Sequence, residues 1–391
     1  MCNFTLPETK PETEEVKAET VYEEGIYFDM PEAEYHEIEY FSRSGGDEIL
    51  FSEEQYWINS YLNPDRKPRE TSPSMDLGSA IHCMLLEPKR FKELYAKYPT
   101  PEDYQGRNIL KTVDDLKEFL ESVGEKKTGK KEDLINRAVE YIDPKESVIW
   151  DLKIQEFLED VEQNGKRILS DDHVEVLDGV KEAVKRRKEK PLLKESQPKM
   201  HKILEQTRSE VVVIWKDKLT GIMCKCMIDS IRPCSIGEVK SFSVKNYNKS
   251  LEQVMFDEIR YRKYNHQFYV YLEAVKTVIT KINAGKAKVF GEVDKDWLKE
   301  LLENPNKNFF IMFFRTQPPY ECKAIDMEKS AVPDATSNEY YNLGKQRWEA
   351  ALLKLQRCYK RFGTSRFIDE QEVVTLKDEH IPNIIYQSSD F

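Results

Sequence analysis

Between residues 211 and 242 the apolar pattern switches to the two-residue period of strands, and this block constrains the fold more than any other part of the chain. Val211–Trp215, Ile222–Asp229 and Ser235–Phe242 read as three adjacent strands. Asp217-Lys218-Leu219-Thr220-Gly221 supplies the first turn, and Arg232-Pro233 marks the second. The last strand carries Gly237-Glu238-Val239-Lys240, and the middle one ends on Asp229. Residues two apart in a strand share a face, so Glu238 and Lys240 point together at whatever Asp229 addresses. Paired carboxylates bind a hard divalent cation through oxygen. An ammonium beside them positions a water or stabilises charge on a phosphate.

Acid-x-Lys is a short pattern in a chain with 34% charged residues, so its surroundings matter. Met75–Leu86 reads as a buried helix that stops before Pro88. Gly78 and His82 lie four apart and share one helix face. Residues 51–61, 150–208, 249–276 and 338–362 read as helical, and 308–315 and 321–327 as further strands.

Residues 112–142 form a compact unit. Thr112-x-x-Asp115 is a capping box, and Val113, Leu116, Phe119, Leu120 and Val123 make one apolar stripe. Gly124 ends it, and Leu134, Ile135, Ala138, Val139 and Ile142 make a second stripe. The turn between them holds Lys126, Lys127, Lys130 and Lys131. The pair resembles the SAP-type DNA-binding helix hairpin, which implies lysines on phosphates and affinity without sequence choice.

The net charge of −11 is concentrated. Residues 1–40 hold twelve acids against Lys10 and Lys17, so that segment alone is −10. The remainder is nearly neutral, which permits a local basic cleft. Residues 1–24 read as an acidic disordered tail and 377–391 as a flexible C-terminal tail. No run of about 18 apolar residues suggests a membrane span. The start of the chain lacks a basic and then apolar leader pattern. Seven scattered cysteines are read as reduced thiols of a cytoplasmic protein. Cys224-x-Cys226 lacks the second pair that a zinc or iron–sulfur site requires, and its strand alternation reads as buried free thiols.

The ordered set of motifs resembles the RecE family, the phage-type exonuclease VIII group of the PD-(D/E)xK nucleases, over roughly residues 25–276. Leu77-Gly78-Ser79-Ala80-Ile81-His82 through Leu86-Glu87-Pro88 is similar to its L-G-T-A-x-H…L-E-P helix. Glu210 opens a strand as the family's first acid does, and Thr220-Gly221 before Cys224–Asp229 resembles its T-G…C-x-C/R-x-x-D strand. His266-Gln267 with Tyr271 resembles the Q-x-x-x-Y helix of RecB-like nucleases. The resemblance implies an α/β (α+β) nuclease core over 25–376, a central mixed sheet flanked by helices; 108–145, the SAP-like helical hairpin, and the segment around 277–305 depart from the family and read as insertions. It implies a Mg²⁺-dependent exonuclease that degrades one strand of duplex DNA from its end, 5′ to 3′, with Mn²⁺ as a substitute. His82, Asp229, Glu238 and the Val239 carbonyl would hold the metal, with Glu210 serving a second. Lys240 would orient the attacking water, and Gln267 and Tyr271 would hold the scissile strand or brace Lys240. Double-stranded DNA ends, a RecT-like single-strand annealing partner and a homo-oligomeric ring, commonly a tetramer, are implied as partners. Glu238 stands where the family more often has Asp.

Overall fold

The computed structural model describes residues 21–67, 72–189, 203–205, 207–245, 247–327, 339–368 and 373. Most of the acidic N-terminal segment and the C-terminal 377–391 therefore lie outside the described residues. The centre is a mixed eight-stranded sheet. Its strands are β1 (Gly25–Tyr27), β2 (Phe41–Ser42), β3 (Arg208–Lys216), β4 (Met223–Arg232), β5 (Ser235–Phe242), β6 (Lys288–Phe290), β7 (Asn308–Arg315) and β8 (Cys322–Asp326). The order is β6-β1-β3-β4-β5-β7-β8, with β2 pairing on β4. β3, β4 and β5 form an antiparallel meander, while β5 and β7 run parallel in register from Asn308↔Ser235 to Arg315↔Phe242.

Helices cover both faces. The ones that matter for the site are α1 (Arg43–Phe51), α2 (Pro73–Leu86), α3 (Val113–Ser122), α4 (Lys131–Val139), α5 (Asp171–Glu189), α6 (Leu251–Tyr261), α7 (Tyr264–Asn283) and α8 (Glu339–Phe362). One face buries Val211, Val213, Trp215, Cys224, Cys226 and Ile228 against α7 and α8. α7 is buried all round from His266 to Leu272, as expected for a helix enclosed by the sheet and a second helix. The opposite face packs Val239, Phe310, Met312 and Phe314 against α2 and α5. Ser72 caps α2 and Pro73 takes its first turn, where its missing N–H costs nothing. Cys224 and Cys226 are buried free thiols.

The chain departs from its sequence reading at three helical regions. Residues 249–276 form two helices, α6 and α7, because Lys263 takes a left-handed conformation at φ 54° and turns the chain. The segment 51–61 is split at Ser52, which ends α1 and caps a new helix over Glu53–Asn59. Between 150 and 189 a short strand, Arg167–Leu169, separates two helices and pairs with Tyr95–Lys97; 190–202 lie outside the described residues. Residues 277–305, read as inserted, supply β6 to the sheet edge.

The unit around α3 and α4 has its own core of Leu110, Leu116, Leu120, Leu134, Ala138 and Ile149. Its ends are tied by a parallel pairing of Asn108–Leu110 with Ser147–Ile149. Thr112 and Asp115 form the reciprocal cap at 2.7 and 3.1 Å.

A second knot lies where α1, α7 and α8 meet. Asp47 receives His266 Nδ1 at 3.1 Å, Arg347 at 2.9 Å and Arg43 at 3.2 Å. Burial would raise the Asp47 carboxyl, but His266 and Arg43 outweigh it and hold it down at about 2. A lowered carboxylate pKa stabilises the fold above the unfolded value, near 4, and that contribution disappears as pH falls toward the folded value. Asp47→Asn should cost about 2 kcal/mol at neutral pH, and its deficit against the parent in urea titrations should narrow between about pH 4 and pH 2.

Gly344 marks a close approach of α8 to α7, since a Cβ there would fall 2.2 Å from the Asn265 carbonyl oxygen. At Gly78 the nearest atom would be Ser241 Oγ at an ordinary 3.5 Å. Gly344→Ala should therefore lose about 1–3 kcal/mol in denaturation. Gly78→Ala should leave stability unchanged or slightly raised, because alanine favours helix.

Candidate active site

The sheet's regular alternation fails at one place, and the candidate residues collect there. In β4, Ile228 and Ile231 both face the main core, although residues three apart in a regular strand face opposite ways. The reset falls on Asp229 and Ser230. In β3, Val211 and Val213 face that same core, whereas Ser209 donates to the Leu86 carbonyl at the end of α2. The reset there falls on Glu210, which adopts φ 54°. The β3–β4 pairing skips Glu210 and Asp229 while Ser209↔Ser230 and Val211↔Ile228 remain in register. The β4–β5 ladder ends at Ser230↔Gly237, one step before Asp229 would meet Glu238. β5 stays paired to β7 through Phe242. The result is a fork between β4 and β5 with Asp229 in its crotch.

Asp229 Oδ2 accepts from the Val239 amide at 2.8 Å, supplying the partner that the ladder no longer provides. The same oxygen lies 2.8 Å from His82 Nε2, and His82 Nδ1 lies 3.2 Å from Glu210 Oε1. Both imidazole nitrogens therefore face carboxylates. Burial opposes a charge on His82, but Asp229 and Glu210 outweigh it and raise its pKa well above the usual range. Burial likewise pushes Asp229 upward, and the His82 cation reverses this and lowers it. His82 thus bridges two acids, one at each ring nitrogen.

Glu238 is buried and belongs to the α7 side of the fork. Its Oε1 accepts from Lys240 Nζ at 2.6 Å and from Gln267 Nε2. Burial first, and Asp229 second, push its carboxyl up to about 7. Lys240 rests over the Tyr264 ring, Nζ 5.2 Å from the centroid, a cation–π contact. Burial works against its charge, but Glu238 and Asp229 prevail and raise its pKa. Tyr271 is buried on α7 one turn beyond Gln267, edge-on to Phe309 at 6.5 Å. Gln267 bonds Glu238, and the ring beneath Lys240 is that of Tyr264. Tyr264 was missed in the sequence; its signal is the three-residue spacing to Gln267, which puts both on one helix face.

Glu238 Oε2 is buried with no hydrogen-bond partner. An orphaned carboxylate oxygen is costly, and a cation in the fork would satisfy it. Among the described residues no three His, Cys, Asp or Glu side chains already converge as a metal cage. Magnesium does not need one, because it keeps several waters and takes one or two carboxylates. Asp229, Glu238 and the Val239 carbonyl fit that role, with Glu210 beside them. His82 would have to release a carboxylate to join them.

The lysine turn lies in the separate α3–α4 unit. Lys127 pairs with Glu121 at 2.7 Å and Lys131 with Asp151 at 2.6 Å. Lys130 caps α4 through its backbone amide, at 2.9 Å from Asp133, and the Lys126 amide donates to Glu125. Exposed pairs of this kind contribute about 0–1 kcal/mol and exchange partners readily.

Residues 51–340 match the family described as PDDEXK-like domain of unknown function (DUF3799). The chain belongs to this family, and with its mixed sheet flanked by helices it is a nuclease-fold protein of the PD-(D/E)xK superfamily. It is also similar to a crystal structure from Eubacterium rectale whose exonuclease name is provisional, at 15% identity and a TM-score of 0.39, covering 93% of this chain and 99% of that one. At that score the likeness carries no argument about activity. No curated protein matches the chain. Among the described residues no helix is long and apolar enough to cross a membrane.

Anything that binds the folded chain alone raises its melting temperature by mass action. Mg²⁺ or Mn²⁺ should therefore raise the melting temperature of the parent protein in a dose-dependent way. Asp229→Ala and Glu238→Ala should abolish that rise. An equal rise in both variants would remove the fork as the metal site.

Proposed function

We propose that this protein is a divalent-metal-dependent exonuclease that degrades one strand of duplex DNA from its end, 5′ to 3′. The observation that carries the nuclease chemistry is the fork itself: Lys240 Nζ lies 2.6 Å from Glu238, beside Asp229, with one Glu238 oxygen left buried and unbonded. Dependence on ends and 5′ to 3′ polarity rest on the motif resemblance to RecE-like enzymes. That resemblance also supports a ring-shaped homo-oligomer and a RecT-like annealing partner for the single strand produced.

A bound Mg²⁺, or Mn²⁺ in its place, supplies Lewis acidity and the positive charge that shields an anionic phosphodiester from its nucleophile. Asp229, Glu238 and the Val239 carbonyl would hold it. Lys240, kept charged by the two acids and seated on Tyr264, orients the attacking water and stabilises negative charge growing on the phosphate. Gln267 fixes the Glu238 rotamer. His82 holds Asp229 and Glu210 in place from the α2 side. The lysine turn adds phosphate contacts that give grip without sequence preference.

Linear and covalently closed duplex DNA should be incubated with Mg²⁺. Loss of linear DNA alone is expected, with Asp229→Ala inactive and Lys240→Ala slower by about 10²–10³, the usual effect of removing one preorganised charge or donor. Cutting of the circles would turn the assignment to an endonuclease. Absence of metal-dependent cleavage of either form would leave a DNA-binding module.

A further inference from the structure

The corner between α6 and α7 carries a feature that the reaction does not yet use. Tyr261 ends α6 and is 73% exposed, among the most exposed large side chains of the described residues. Arg262 follows, also 68% exposed along its side chain, and Lys263 turns the chain in its left-handed conformation. The next residue is Tyr264, whose ring lies under Lys240. One covalent corner therefore leads directly from solvent to the lysine of the candidate site. Tyr264 has Lys240, Arg262 and Arg43 as neighbouring cations and Glu258 as a neighbouring anion. Arg43 also donates to the Arg262 carbonyl at 3.2 Å, which ties the corner to α1. The Arg260 guanidinium stands 5.4 Å from the Tyr261 ring centre.

We infer that this corner, through Tyr261 and Arg262, grips the single strand flanking the scissile phosphate, a role that rests on the nuclease reading above. The chemistry selects the occupant. An exposed aromatic ring among guanidinium groups is the stacking platform that unpaired bases use, and it tolerates any base. A paired duplex hides its base faces and offers only phosphates. The chain as a whole is negative, at −11, so a polyanion needs a local group of cations, and Arg43, Arg260 and Arg262 supply one at this corner. Arg262 and Arg260 already touch Glu258 and Asp257 at 3.3 and 3.4 Å. The arginine side of each pair is 68% exposed while Asp257 and Glu258 are partly covered, so each guanidinium can swing to a phosphate without the carboxylate moving. Tyr261 would stack a base next to the cleaved nucleotide while Arg262 holds its phosphate.

The test is fluorescence anisotropy with labelled oligothymidylate in EDTA, where binding is read without cleavage. Tyr261→Ala should weaken binding about tenfold. Tyr261→Trp should retain it. Arg262→Ala should weaken it and reduce the salt dependence by about one phosphate contact. Melting temperatures equal to the parent's would show that the variants are folded. Parent-like binding by Tyr261→Ala, or Tyr261→Trp as weak as alanine, would overturn the corner even if the parent digests DNA. A parent that neither binds the oligonucleotide nor digests DNA would overturn the nuclease reading and the corner with it.

Discussion

The structure turns on one substitution of bonding partners: the Asp229 carboxylate takes the Val239 amide that a continuous ladder would have paired. A strand pair that parts inside a sheet leaves buried donors unsatisfied, and that cost normally forbids a fork. Here the acid at the crotch meets the cost itself. The same carboxylate holds His82, which in turn holds Glu210 across an interrupted β3–β4 pairing. The opening, its charge and its links to α2 therefore arise from a single side chain. Strain follows the same line, because Glu210 sits at φ 54°, a conformation that costs a side chain of this type about 1–2 kcal/mol.

Around the fork the two helical layers divide the work. α2 approaches from one face with His82, and α7 from the other with Gln267 and Tyr264. α7 is pinned at its first turn by Asp47 of α1 and by the close passage of α8, at Gly344, over Asn265. His266 faces that anchor while Gln267 faces the acids. The enclosure of α7 by sheet and helix thus fixes a side chain that touches Glu238.

The strand block was legible in the sequence because its alternation is strong and its turns carry Asp, Gly and Pro. The meeting of Glu238 and Lys240 follows from the two-residue period alone, and the capping box at Thr112 and the stop before Pro88 follow from local chemistry. The corner at Arg262-Lys263 was not legible. Both residues favour helix, no glycine or proline interrupts the run, and tertiary contacts impose the left-handed turn. Reading one continuous helix hid Tyr264, which stands at its true beginning. The reset at Glu210 left no sequence mark either. The Asp47–His266 contact joins residues 219 positions apart, a distance no local pattern reports.

The pairing of Asn108–Leu110 with Ser147–Ile149 has a further meaning for how such chains diversify. The unit between them enters and leaves at the same spot and keeps its own small core. Such a module is portable. Its removal or exchange would not require rethreading the sheet, because the strands that form the fork neither enter nor leave through it.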